Sequence, residues 1–277
     1  MTSLQSPPSI VSRAPLPLFT KVFTDSWRGL IGWALGLAAA AFLYLPLYPS
    51  MRGAAGMQDL IDKLPPELIK TLGYDQIGTG AGYTQATLFG LIGFVLMSIA
   101  TTGWGAAALG GDEESGRLEL TLAHGVTRVQ VATARFVAIA VKILFLSALL
   151  FGLVLALNDS AELHLKTGNV LGTSIVFGGL SLLTASAALL GGALTGRRIG
   201  GIAAGAAVAI AGYVLNALGN QSENLAWLHN LSAYHWAFGN DPLGSGARVT
   251  TILAFYALCL MLAALSALSL RQRDIGV

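Results

Sequence analysis

Six runs of mostly apolar residues punctuate this chain, at about 29–48, 84–109, 133–157, 169–195, 199–218 and 249–270. Nothing else in the sequence constrains the fold as strongly. A helix of ~20 apolar residues, rising 1.5 Å per residue, matches the ~30 Å hydrocarbon layer of a bilayer. Backbone N–H and C=O groups in that layer find no water and must be satisfied within the segment, which selects helices. The expectation is therefore an all-α, polytopic membrane protein with six transmembrane helices. The charge content agrees: 11% of residues are charged, against about 25% in soluble domains. Such a chain cannot cover its surface with charge. Its 34 glycines suit helices that approach one another closely in lipid.

The stretches between the runs divide the rest. Residues 1–17 carry Pro7, Pro8, Pro15 and Pro17 and are expected to be a flexible cytosolic tail, with residues 18–277 forming one transmembrane domain. The first apolar run lacks a small-residue cleavage site, so no removable leader is expected. Phe19, Val22, Phe23, Trp27 and Leu30 recur at helical spacing opposite Thr20, Lys21, Thr24, Asp25 and Arg28. This reads as an N-terminal amphipathic interfacial helix, or else as an extension of the first span. In the loop 49–83, Leu60, Ile61, Leu64, Leu68, Ile69 and Leu72 predict short surface helices broken at Pro65–Pro66. Only Gly196, Arg197 and Arg198 separate the fourth and fifth runs, so these form a tight hairpin. The basic residues orient the bundle. With the N-terminus inside, ten fall in the cytoplasm (Arg13, Lys21, Arg28, Arg117, Arg128, Arg135, Arg197, Arg198, Arg271, Arg273) and five outside (Arg52, Lys63, Lys70, Lys166, Arg248). Both termini are expected to be cytoplasmic.

Several chemistries are argued against. No GxxxxGK[ST] segment is present to cradle a phosphate, and no HExxH or Ser/His/Asp arrangement appears. His229, His235 and Asp241 meet no zinc spacing and are read as surface residues, so no metal is expected. Cys259 lies in an apolar run and reads as a small buried hydrophobe. An ion-coupled secondary transporter normally carries acids at mid-membrane, and no Asp or Glu falls inside a predicted span. That reading and a non-transporting structural or sensory subunit remain the alternatives.

The most informative stretch is GGDEESGRLELTLAHGVTRVQ, Gly110–Gln130. Arg117–His124 can form two helical turns with Leu118 and Leu122 on one side, an apolar strip suited to docking a partner. Gly125 is placed to end that helix. Thr127 with Gln130 reads as a capping box restarting the next one. A solvated connector is the plainer reading. The run GDEESGRLELTLAHGVTR resembles the signature of type-2 ABC exporter permeases, which links the second and third spans. HWAFGNDPLGSG (His235–Gly246) and the terminal RQRDIGV resemble the antibiotic-exporter branch. The departure is His124–Gly125, where a Leu-Pro or Ser-Pro pair often stands.

The resemblance implies a permease that pairs with a second permease, expected to be a homodimer, and with two copies of a soluble ABC ATPase. It implies that ATP and Mg are bound by that partner and that this chain carries no cofactor and binds no nucleic acid. Carried over, Glu113, Glu114, Gly116, Leu118, Glu119, Leu122 and Arg128 would couple the ATPase to the spans. The implied location is a bacterial plasma membrane, surrounded by lipid. The spans hold few charges, so the expected cargo is hydrophobic or amphiphilic: an antibiotic, drug or lipid-like compound. Lys142, Tyr213 and Asn216 are the polar groups expected along its path. Lys142 either functions at depth or snorkels to the interface. Gly192–Gly196–Gly200 and Gly201–Gly205 predict small-residue faces for close packing within the subunit. Trp227, Tyr234 and Trp236 read as interface anchors or an outer gate.

Overall fold

A computed structural model describes residues 16–52 and 78–273. The expected tail up to Pro15 and the expected surface helices around Pro65–Pro66 lie outside the described residues. Six helices are long and apolar enough to cross a membrane, and among the described residues there is no strand.

The first helix, α1 (Leu16–Tyr44), is one unbroken rod. The amphipathic segment is thus continuous with the first span: no turn separates the two for the segment to lie flat. Pro46 and Pro49, which lack an N–H, accompany the change to a single 3-10 turn at Leu45–Leu47 and a last helical turn at Tyr48–Arg52. Next comes α2 (Gly80–Glu114). It begins four residues before the expected start, capped by Thr79, whose hydroxyl accepts the Gly82 N–H. Two stretches of α2 widen into π-helix, at Gln85–Gly93 and Ala107–Gly111. The short α3 (Arg117–Leu122) follows, and then α4 (Arg128–Asn158). The capping box that starts α4 forms as expected: the Thr127 hydroxyl accepts from the Gln130 N–H, and the Gln130 side chain accepts from the Thr127 N–H.

Helix α5 (Thr167–Thr195) occupies the centre. Of its most apolar stretch, 83% is buried, against 22% in α6 (Arg198–Gly219). The tight hairpin between them is present, and Gly196 makes it: its φ of 68° is left-handed, where a side chain would be strained. Gly196 therefore belongs to the turn, and the expected Gly192–Gly196–Gly200 face does not form on one helix. Gly201 and Gly205 do pack within the subunit. A Cβ at Gly201 would stand 2.6 Å from the Ala106 Cα of α2, and one at Gly205 would stand 2.9 Å from the Thr102 hydroxyl.

The expected loop 219–248 is structured. A 3-10 segment (Glu223–Leu231), α7 (Ala233–Phe238) and a helical turn at Pro242–Ser245 cap α2, α5 and α6 at the end opposite Glu114. The last helix, α8 (Val249–Gln272), packs on α5, where the buried Cys259 thiol points at the Gly179 carbonyl.

Candidate functional site

The end of α2 is the most connected turn in the chain. Asp112, Glu113 and Glu114 are consecutive, so they point about 100° apart around the helix. Each reaches a different neighbour. Asp112 is buried, with Arg117 Nε of α3 at 3.2 Å and Arg135 Nη2 of α4 at 2.5 Å. Glu113 pairs with Arg273, just past the end of α8. Arg273 also donates from Nη1 to the Ala193 carbonyl of α5 at 2.7 Å. The Glu114 carboxylate accepts the Arg198 N–H, capping the start of α6 at 3.1 Å. Arg128 completes the cluster, donating to the carbonyls of Leu270, Arg271 and Arg273 at 3.2, 3.3 and 2.6 Å. It thereby neutralises the negative end of α8.

Gly116, with φ 71°, breaks the chain sharply between α2 and α3. Its freedom lets α3 fold back against the cluster within two residues. The expected outward strip of Leu118 and Leu122 is not what α3 presents. Leu118 is 1% exposed and Leu122 is partly buried, both against the chain's own core. The exposed apolar side chain is Leu120, at 67%. Around it stand the exposed Arg117, Glu119 and His124. Burial of Leu118 holds this orientation, and the pairing of Arg117 with Asp112 is compatible with it.

Of the expected coupling residues, Glu113, Glu114 and Arg128 thus meet at one place by bonding to other helices. Glu119 stays at the surface. Asp112 and Arg273, which sequence reasoning did not select, are central to the cluster. Only their position beside the selected acids and at the basic C-terminus could have signalled them.

The expected path residues do not come together. Tyr213 packs on Phe94 and Tyr234, with ring centroids at 6.3 and 5.3 Å. Tyr234 donates its hydroxyl proton to the Gly90 carbonyl, in the wide π turns of α2, at 2.9 Å. Asn216 Oδ1 lies 2.9 Å from His235 Nδ1. These groups form the underside of the cap at residues 223–245. Lys142 sits elsewhere, on the ring of Trp104, ten residues, or about 15 Å, further along α2 than Phe94. Within the cap, Trp227 is exposed, as an interface anchor would be, whereas Tyr234 and Trp236 pack inward. His229 and His235 stack at 3.8 Å with planes 8° apart, and His229 also meets Asn220. Asp241 caps Gly244 instead. Among the described residues no three potential ligands gather around a metal position.

Six helices long and apolar enough to cross a membrane, joined at one end by a cluster of charged residues, are what a membrane-spanning subunit requires. The comparison with known families agrees. The family model described as multidrug efflux system permease Rv1217c, C-terminal domain, matches residues 22–271, and the chain belongs to that family. It is a permease of an ABC-type multidrug efflux system. No match was found among curated proteins or solved structures.

Two predictions follow from this geometry. Leu118→Ala opens a hole in the protein's own core and should cost about 2–5 kcal/mol of stability. Leu120→Ala should change it by under about 0.5 kcal/mol. Thermal unfolding in detergent reads the difference, and equal midpoints would place Leu118 at the surface.

The second concerns acid. Burial, aided by the His229 ring beside it, pushes His235 from its ordinary 6.5 down to about 4. Between those values the unfolded chain takes up the proton first, so stability is full above about 6.5 and declines as pH falls toward 4. The unfolding midpoint should drop by a few degrees over that window, and His235→Gln should reduce the drop. An unchanged slope in that variant would remove His235 as a cause.

Proposed function

We propose that this permease is driven by a separate soluble ATPase docked on the exposed face of α3, around Leu120. The observation that carries the reading is the acidic turn itself. Any force applied to α3 passes through Gly116 and Asp112 into α2 and α4, and through Glu113 and Glu114 into α8, α5 and α6. A solvated connector has no use for ties to so many helices. An exposed leucine ringed by Arg117, Glu119 and His124 suits a small docking surface: burial supplies affinity and charge sets orientation. Glu113, Glu114, Gly116, Leu118, Leu122 and Arg128 then act from behind that surface, holding it to the bundle.

The working unit in this reading is two permeases with two ATPases, the ATPases binding ATP and Mg. Residues 110–130 and both termini face the cytoplasm of a bacterial cell, following the excess of Lys and Arg on that side. The outer cap over α2, α5 and α6 closes the opposite face. The cargo is an amphiphilic or hydrophobic compound moved outward.

Leu120→Asp tests the docking surface. The side chain is exposed, so folding and membrane insertion should be normal, while an unpaired charge buried at the interface weakens assembly by several kcal/mol. Co-purification of the ATPase and drug-stimulated ATP hydrolysis should both fall by at least about tenfold. Full assembly of Leu120→Asp would return α3 to the role of a connector.

A further inference from the structure

Lys142 stands halfway along α4 and is only 4% exposed. Its amine lies 5.2 Å from the centroid of the Trp104 ring. Trp104 is ten residues, about 15 Å, inside the Glu114 end of α2. Lys142 is nine residues, about 14 Å, past the start of the apolar run at 133, so it lies inside the apolar layer, and a stem of about 6 Å does not bring its amine to the interface.

The chemistry of that position is unbalanced. A cation at this depth is ordinarily held by an acid, by carbonyls or by water. Among the described residues Lys142 has no ion pair. At the end of α2, Asp112 pairs with Arg117 and Arg135, one Glu113 oxygen with Arg273, and Glu114 with the start of α6. The other Glu113 oxygen has no hydrogen bond, but Glu113 lies nine residues, about 14 Å, along α2 from Trp104. Arg135, two turns earlier on the same face of α4, adds positive charge. None of α4, α5, α6 and α8 contains an Asp or Glu. The face of one indole compensates the charge only in part.

We propose that Lys142, covered by Trp104, binds the anionic group of an acidic amphiphile, a carboxylate carried on an apolar body. The half-buried Trp104 ring forms the wall of the site, and its rotation uncovers the amine. Beside it, a Cβ at Gly103 would meet no atom within 4 Å, which leaves room for an apolar body against α2. A phospholipid headgroup stays at the interface and does not reach this depth. The inference deepens the export reading and rests on it for direction of transport, whereas binding itself requires only the permease.

The test compares dansylated undecanoic acid with its methyl ester, titrated onto the purified permease in neutral phosphatidylcholine nanodiscs, with empty nanodiscs as the blank. Wild type should bind the acid at least about tenfold more tightly than the ester. Lys142→Met should bind the two equally, and Lys142→Arg should keep the preference. Equal binding by wild type, or an undiminished preference in Lys142→Met, overturns the proposal. The wild-type comparison decides even if a variant fails to fold. Binding of neither probe overturns the site alone, since the Leu120→Asp assembly test decides the export reading separately.

Discussion

Three consecutive carboxylates at the end of one helix hold one end of this permease together. The arrangement depends on helical geometry: side chains 100° apart on a single turn must face different neighbours. Asp112 takes α3 and α4, Glu113 takes the end of α8 and through Arg273 reaches α5, and Glu114 caps α6. Most of these bonds join ionised groups, which makes them stronger and shorter than neutral ones. Without the turn, α3 would be held only by its chain connections and by the burial of Leu118 and Leu122. With it, a six-residue helix is fixed to most of the bundle.

The opposite end, under residues 223–245, is organised by different means. Its cap is held by single neutral hydrogen bonds and ring contacts. The Ser232 hydroxyl donates to the Gly212 carbonyl at 2.6 Å, and the Gln85 amide donates to the Phe238 carbonyl at 3.2 Å. Asn169 donates to the carbonyls of Leu243 and Gly244 at 3.0 and 2.8 Å. Bonds of this kind are individually modest. One face of the bundle is thus tied by paired charge and the other by exchangeable polar contacts.

The spans were legible because length and apolarity decide them before any packing does, and the Thr127 capping box because its two bonds are local. What escaped the sequence was direction. Leu118, Leu120 and Leu122 are all leucines on a six-residue helix, and which of them turns inward depends on how the helix packs on the rest of the bundle. Asp112 looked no different from its two neighbours, since only the tertiary fold distinguishes residues 100° apart. The cap read as a loop because its helices are one or two turns long, too short for periodicity to show. Lys142 was visible as an anomaly, but its separation from Tyr213 and Asn216 became evident only from which helices face one another.

The account stands on the pairing of the acidic turn with the C-terminus. The decisive measurement is drug-stimulated ATP hydrolysis and export by the reconstituted complex carrying Glu113→Arg, Arg273→Glu, or both. Each single reversal should leave the ATPase bound yet abolish most drug stimulation, because two like charges then face each other where α2 meets α8. The double reversal restores the pair and should recover most of the coupling. Wild-type coupling in either single variant, or no recovery in the double, would contradict the claim that force passes through this turn.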